Sequence, residues 1–494
     1  MIIKFIKNHI WFILLSLIYF LFIIFTYKSF GITDDEFVEY RAGKSLLNFY
    51  QTGEEKNFNL SNNHLPSNAL YFRVHLAFYN LLNPNFYYEI FHLQNFMFAY
   101  LLILGVYFLF YKHYQDKLLA LIPVLLLILT PRVFGDFPAN PKDIPFAILF
   151  FFSLFLIYLL QKRFSFFLLF LLGICIGVAS SLRLIGLSLI FIYFFYHLIY
   201  SGKPFINYIK YTLFLVCIVL VTQFVSLPYL WNDTVNKFIN LITQSSSFSL
   251  WNNTNLYFGE FIGKEVRTRG YLFVWIGVTT PIFILGLYFW SLTSLKKVKE
   301  NSLLLLFNLA IFINLFLYLV INPVIYNGPR HFIFVLMLIS LVAATFLIDL
   351  LKKLPVQKFK LLLSIFIIHS LSIFIFYFKF HPYYYVYFNE LIGQKNAQGQ
   401  FGYDYWGTSY KEMVQFLKND TSITLKNFFT VYPCSQATGV VYFSENKFKV
   451  VSKVNEANFT VCDVDSDRKE GFKYPIYGEV KRDNITIGII RKVQ

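Results

Sequence analysis

The chain has 494 residues, of which 57% are hydrophobic and only 14% are charged, and its mean hydropathy is +0.55. Soluble domains carry roughly 25% charged residues, so this composition excludes an ordinary soluble globule. The formal net charge of +16 is spread over alternate loops between apolar runs, which indicates membrane topology rather than binding to nucleic acid.

Long apolar runs recur between residues 10 and 380, each near the roughly 20 residues that cross a bilayer as a helix. We therefore predict a mainly α, polytopic membrane protein with about 11 spans. The predicted spans cover residues 10–30, 91–111, 118–131, 143–160, 165–182, 184–200, 211–228, 271–292, 302–321, 332–350 and 361–380. The segment 118–131 is short, and the division of 165–200 around Arg183 is open.

The basic loops fix the orientation of these spans. Clusters such as Lys162 with Arg163, and Lys352 with Lys353, fall in alternate loops. The positive-inside rule places these loops and the N-terminus in the cytoplasm, and an odd number of spans then places the tail outside. The first apolar segment lacks a small-residue cleavage site, so we expect it to remain as an anchor.

Three carboxylates, Asp34, Asp35 and Glu36, follow directly after the first apolar run. Neighbouring carboxylates repel one another and resist desolvation at a bilayer surface, so packing alone does not explain them. A carboxylate at this boundary is suited to act as a general base or to bind a divalent cation beside a phosphate. One of them also suits the cap of a helix. The aromatic run 71–88 then predicts interfacial helices in this first outer loop.

Two further outer segments carry clustered charges. The loop 131–145 contains Arg132 and Lys142, which suit a phosphate, and Asp143, which also suits a helix N-terminus. At 326–331, Arg330 offers planar multidentate donors for a phosphate and is flanked by Tyr326 and His331. An interfacial arginine also snorkels to lipid headgroups, which is the plainer interpretation. Arg183 is costly in lipid, which favours an internal cavity.

The character of the chain changes after residue 380. Strand-length apolar runs cover residues 428–432, 439–443, 459–462 and 485–490, and a helix is predicted over 409–418 with Thr408 or Ser409 as its cap. We therefore divide the chain into a membrane domain, 1–380, and a small exported α/β domain, 381–494. Whether Cys434 and Cys462 form a disulfide is left open.

No phosphate-cradling P-loop, HExxH motif or cysteine zinc pattern occurs in the sequence, so an ATPase or a zincin has no local support. The aromatic stretch 401–412 suits either stacking on a sugar ring or a domain that rests on the membrane surface.

Several of these features together resemble the GT-C glycosyltransferases, and most of residues 1–410 takes part in the resemblance. The nearest branch contains the protein O-mannosyltransferases and the lipid A aminoarabinose transferase. Besides the acidic pair after the first span, the resemblance rests on the stretches Asn140-Pro141-Lys142-Asp143-Ile144-Pro145, Gly328-Pro329-Arg330-His331 and Asp404-Tyr405-Trp406-Gly407. The tail does not look like the MIR domains of eukaryotic protein mannosyltransferases, which puts a protein acceptor in doubt.

The resemblance implies an inverting hexosyl- or pentosyltransferase of the bacterial inner membrane. It would move a sugar from a polyprenyl-phosphate donor to a lipid, glycan or protein acceptor on the periplasmic face. Asp35, paired with Glu36, matches the catalytic acidic position, and Asp34 competes with it for that register. Asp143 matches a second acidic position, and Arg330 with Lys142 or Arg183 would neutralise the lipid phosphate. A divalent metal held by Asp35 and Asp143 is an open alternative; no other cofactor is expected.

Two rival functions stay open at this stage. Arg183 and the outer carboxylates also suit a transporter or flippase for a lipid-linked or anionic solute, although transporters usually show paired repeats, and we find none here. The charged segment 229–270 keeps open a polysaccharide polymerase or ligase.

Overall fold

The computed structural model describes residues 7–53, 87–200, 204–246, 253–264, 268–294, 298, 300–421, 429–435 and 437–493. Up to residue 380 the described chain is almost entirely helical. Its α-helices are Ile10–Thr26, Asp34–Thr52, Tyr87–Tyr114, Leu121–Ile128, Pro131–Gly135, Asp143–Lys162, Phe166–Leu182, Ser188–Tyr200, Phe205–Ser226, Thr234–Ser246, Tyr271–Thr279, Ile282–Leu292, Ser302–Ile321, Ile333–Leu351 and Val356–Phe380. Short 3₁₀ helices lie at Leu184–Leu187, Pro228–Leu230 and Arg330–Phe332.

These helices make a multi-pass membrane protein. Within the described residues, six helices are long and apolar enough to cross a bilayer, and three more apolar helices are shorter. Every predicted span contains a helix, but two differ from expectation. The segment 118–131 holds only the eight-residue helix Leu121–Ile128. The segment 271–292 is bent by 119° between two helices, because Pro281 at the break cannot continue the helical hydrogen bonds.

The bundle is built around helix Ile333–Leu351, which is buried along nearly its whole length. Helices such as Phe205–Ser226 and Val356–Phe380 instead expose apolar side chains on the outside, as helices in contact with lipid do. Arg330 begins the 3₁₀ helix that leads into this buried helix, so the packed centre of the bundle positions it.

The basic loops meet at one end of the bundle. There Lys117 donates to Asn8 over 3.1 Å, and the Lys352 ammonium lies 4.4 Å from the Tyr114 ring. At the other end, Thr33 Oγ1 donates to the Ala139 carbonyl over 3.0 Å. The basic loops that alternate along the sequence therefore lie together at one end of the helical bundle.

Between the spans, strands β1 (Asn255–Tyr257) and β2 (Glu260–Ile262) form a hairpin. The tail contains helices Gln394–Ala397, Tyr410–Asn419, Ala437–Ser444 and Val464–Glu470, and 3₁₀ helices Tyr384–Val386 and Val454–Glu456. Its strands are β3 (Thr430–Pro433), β4 (Lys449–Val450), β5 (Phe459–Asp463), β6 (Ile476–Arg482) and β7 (Ile485–Lys492).

The tail strands form one mixed sheet in the order β4-β3-β5-β7-β6. Strand β3 is parallel to β4 and β5, whereas β7 is antiparallel to β5 and β6. The predicted strand 439–443 is wrong, because these residues belong to helix Ala437–Ser444. A short apolar run does not distinguish a strand from a buried helix, and here Val440 and Phe443 point inward with helical spacing. Phe428 lies outside the described residues.

The tail is tied to the membrane bundle by specific contacts. Lys411 Nζ donates to the Phe30 carbonyl over 3.2 Å, and the Tyr442 hydroxyl donates to Glu89 over 2.9 Å. Cys434 and Cys462 form a disulfide within the tail. Of the first outer loop, helix Asp34–Thr52 is described, whereas almost all of the predicted interfacial run 71–88 lies outside the described residues.

Candidate active site at one end of the bundle

The start of helix Asp34–Thr52 gives its three carboxylates different environments. Thr33 and Glu36 form a reciprocal capping box, in which Glu36 Oε2 accepts from the Thr33 backbone N–H over 2.8 Å. Glu36 is buried, and its Oε1 lies 3.0 Å from His92 Nε2. Asp34 is exposed and lies outside the cavity, whereas Asp35 faces it. The cap therefore holds the helix so that Asp35 is the presented carboxylate.

Arg330 reaches Asp35 from the opposite side of the cavity. Its Nη1 donates to Asp35 Oδ2 over 3.0 Å, and its guanidinium carbon lies 4.7 Å from the ring centres of both Tyr326 and Trp406. The turn before it uses left-handed backbone at Asn327 and Gly328 (φ +56° and +72°), a conformation that glycine and asparagine adopt most readily. The two aromatic rings thus contact the planar guanidinium group of Arg330, and its N–H groups remain available to donate to anions.

Two more cations and two more carboxylates line or back the same cavity. Lys142 Nζ lies 3.2 Å from Glu39 Oε1, and Arg183 Nε donates to Asp143 Oδ1 over 2.6 Å. With Arg330 and Asp35, this makes three ion pairs contributed by residues far apart in the chain. Few such charges are tolerated at membrane depth unless they serve a substrate.

The cavity itself has a volume of about 230 Å³ and a mixed polar and apolar lining. Its charged and other polar residues include Asp35, Glu39, Lys142, Arg183, Tyr326, Arg330 and His331. Its apolar residues include Leu182, Leu184, Ile185, Pro323, Val324 and Ile325. Such a mixed lining suits a ligand with a charged head and a hydrocarbon tail.

A buried network supports the ion pairs from behind. Asn140 Nδ2 donates to Asp143 and to Asp136, and Trp406 Nε1 donates to Asp136 Oδ1 over 3.3 Å. Burial, followed by the nearby Asp143 charge, raises the pKa of Asp136 to about 7, although its hydrogen bonds oppose this. Trp406 therefore links the loop 131–142 to Arg330, which gives the aromatic stretch 401–412 a positioning role at the cavity.

The structure brings most of the predicted site residues together and separates others. Arg132 lies apart from the cavity lining: its guanidinium lies against the rings of Trp275, Phe388 and Tyr405, and its Nε donates to the Tyr387 carbonyl over 3.0 Å. Asp143 stands behind Arg183 and is fully buried. The sequence reasoning missed Glu39, although its position four residues after Asp35 on one helix places both on the same face.

The carboxylates do not fit a divalent metal. Asp35 and Asp143 are each committed to an arginine, and Lys142 lies beside them, so a metal ion would meet three cations. Among the residues that the structure describes, no group of three or more His, Cys, Asp or Glu side chains has the arrangement of a metal site.

Comparison with solved structures identifies the fold. The chain superposes on two crystal structures of ArnT from Cupriavidus metallidurans, one bound to undecaprenyl phosphate and one in the apo state. The TM-scores are 0.54 and 0.55, with 11% sequence identity and 97% of this chain covered in both cases. The chain shares its fold with ArnT. The resemblance predicted from the sequence is thereby confirmed at the level of the fold.

The match extends over nearly the whole length of ArnT, 98% and 97% of the two chains, so the tail belongs to the shared architecture. No family model and no curated protein matches the sequence. The likeness thus lies in the arrangement of helices and not in sequence.

Proposed function

We propose that the chain is a membrane glycosyltransferase that moves a sugar from a polyprenyl-phosphate donor to an acceptor. The observation that carries this proposal is the meeting of Asp35 with Arg330, Lys142 and Arg183 around one cavity. A carboxylate beside a cluster of cations provides a base and a phosphate site within one pocket.

The donor site follows from the mixed lining of the cavity. The cations would hold the phosphate, and the apolar lining residues would accept the first isoprene units of the carrier. Arg330 Nε is buried and donates to no acceptor among the described residues, so this cation has hydrogen-bonding capacity left for a ligand. An ArnT structure with this fold is bound to undecaprenyl phosphate, which supports a lipid of the same class here.

Asp35 would act as the general base. It takes the proton from an acceptor hydroxyl or amine while the acceptor atom forms a bond to the anomeric carbon. The bond from that carbon to the phosphate oxygen breaks, and the phosphate leaves with the electron pair. Attack from the face opposite the leaving group inverts the anomeric carbon.

The ion pairs suggest how binding prepares this step. Without donor, Arg330 Nη1 donates to Asp35 Oδ2 over 3.0 Å, so this carboxylate oxygen is already occupied. The donor phosphodiester offers two anionic oxygens and competes with Asp35 for Arg330. Donor binding would therefore release Asp35 towards the acceptor and place Arg330 where negative charge develops on the departing phosphate.

The remaining features are assigned as follows. Lys142 and Arg183 would share the phosphate charge, and His331 and Tyr326 would contact the sugar or the phosphate from the cavity wall. The basic end of the bundle would face the cytoplasm, which places the cavity and the tail on the periplasmic side. The acceptor would be a lipid, a glycan or a protein of the cell envelope.

The test is a turnover assay with the purified full chain in lipid. Radiolabelled polyprenyl-phosphate sugars, hexoses and pentoses, are incubated with envelope extracts, and released polyprenyl phosphate is measured. We expect release that depends on the extract and on Asp35. Movement of intact donor across the bilayer without release of polyprenyl phosphate would instead identify a flippase and overturn the proposal.

A further inference from the structure

A second polar cavity lies at the opposite, basic end of the bundle, and we propose that it binds the phosphate headgroup of an anionic phospholipid. It has a volume of about 320 Å³ and lies between helices Asp143–Lys162, Ser188–Tyr200 and Phe205–Ser226. Its polar lining consists of Tyr193, Tyr200, Tyr208, Tyr211, His197, Gln161 and Lys162. This site is remote from the cavity around Asp35, so the inference does not rest on the proposed function.

The charge of this end favours an anion. The sequence contains no Asp or Glu between residues 144 and 232, whereas Lys162 ends one helix at the cavity, Arg163 follows it, and Lys210 lies near the start of helix Phe205–Ser226. These cations create a positive potential, and the apolar helices around them provide little screening. Basic pockets between membrane helices on this side are suited to anionic headgroups.

The hydrogen-bonding groups suit a phosphate ester that also carries hydroxyls. The Tyr193 and Tyr208 side chains are almost fully buried, at 2% and 4% exposure, and phenolic hydroxyls donate to phosphate oxygens. Gln161 lines the cavity, and its buried Oε1 accepts no hydrogen bond from any residue that the structure describes. Gln161 Oε1 can accept a hydrogen bond from a hydroxyl group, such as one of a glycerol headgroup. A phosphate oxygen without a proton cannot donate to it.

The surroundings indicate a lipid and not a soluble phosphate. Phe166 and Phe167 begin one helix at this end, and Phe205 and Ile206 begin another; all four are more than half exposed. In a membrane these side chains contact acyl chains at the depth just below the headgroups. A headgroup in the cavity would thus have its own acyl chains lying against these residues.

The plainer interpretation is that the basic loops only set the topology. Solvated lysines fulfil that role without a cavity, whereas here buried tyrosines and a buried acceptor are arranged around an open space. Topology therefore explains the charges but not the pocket.

Native mass spectrometry of the full chain tests the proposal. Purified protein is exposed to equal amounts of phosphatidylglycerol and phosphatidylcholine, and separately to free glycerol phosphate. We expect phosphatidylglycerol to be retained preferentially, with retention weakened roughly tenfold by Lys162→Gln and also weakened by Tyr208→Phe, which keeps the ring packing. Lys353→Gln, which removes an exposed lysine from another loop at the same end, is the matched control and should retain the lipid.

Thermal unfolding in phosphatidylcholine shows whether each variant is folded, so that a loss of lipid is not confused with a loss of structure. Equal retention of both lipids, or equal losses in Lys162→Gln and Lys353→Gln, would overturn the proposal. Binding of glycerol phosphate as tight as that of the lipid would overturn the assignment to a membrane lipid.

Discussion

The adjacent carboxylates Asp34 and Asp35 allow a matched test of the general base. Asp35→Asn keeps the size of the side chain and removes its ability to take a proton. A positioned general base contributes roughly 10²- to 10⁴-fold, or about 3–5 kcal/mol of transition-state stabilisation. The effect on folding should be smaller, about 1 kcal/mol, because Asp35 is 25% exposed and the new amide oxygen still accepts from Arg330.

Turnover of polyprenyl-phosphate sugar and thermal unfolding are measured on both variants in the same lipid. We expect Asp35→Asn to lose at least roughly a hundredfold in kcat with no loss of donor affinity, because a neutral amide competes with the phosphate for Arg330 less well than a carboxylate does. Asp34→Asn, the same chemical change one residue earlier but outside the cavity, should keep its kcat. The reasoning is refuted if Asp35→Asn turns over normally, or if both variants lose activity equally.

Three further outcomes follow from the structure. Lys142→Gln removes the ammonium that lies 3.2 Å from Glu39, so undecaprenyl phosphate should bind roughly tenfold more weakly in a fluorescence titration; unchanged affinity would remove Lys142 from the donor site. Arg132→Met should lower the thermal unfolding midpoint but leave donor affinity intact, because this arginine lies outside the cavity; a selective loss of affinity would show that it contacts the donor. Burial raises the pKa of Asp404 to about 7, so the folded state favours the neutral acid and stability is lost as the pH rises through about 7. The thermal unfolding midpoint of the unmodified chain should be higher at about pH 5 than at about pH 8, and this difference should be smaller in Asp404→Asn. An equal difference in the unmodified chain and in Asp404→Asn would contradict the assignment to Asp404.

The sequence predicted the spans well because each depends on a local property, the length of an apolar run. It failed where packing decides between alternatives. Residues 439–443 form a helix because Val440 and Phe443 are buried on one face. An apolar run of five residues does not by itself indicate which of its side chains will be buried. The bend within 271–292 does have a local signal, Pro281, but its angle depends on the surrounding helices.

The candidate site was only partly predictable, since spacing along the chain does not determine where side chains converge. Arg132 and Arg330 both follow a proline in the sequence, yet Arg132 lies against aromatic rings and Arg330 faces Asp35. We expected one of the three carboxylates to cap the helix, whereas Thr33 is the cap and Glu36 completes the capping box. This box explains why Asp35 is the residue presented to the cavity.

The most direct test of the account is an experimental structure of the chain with undecaprenyl phosphate in lipid. We predict that the phosphate lies within about 3.2 Å of Arg330 and Lys142, that the prenyl chain follows the apolar lining residues, and that Arg330 has exchanged Asp35 for the phosphate. A phosphate bound away from this cavity, or an unchanged pair between Arg330 and Asp35 beside a bound phosphate, would contradict it.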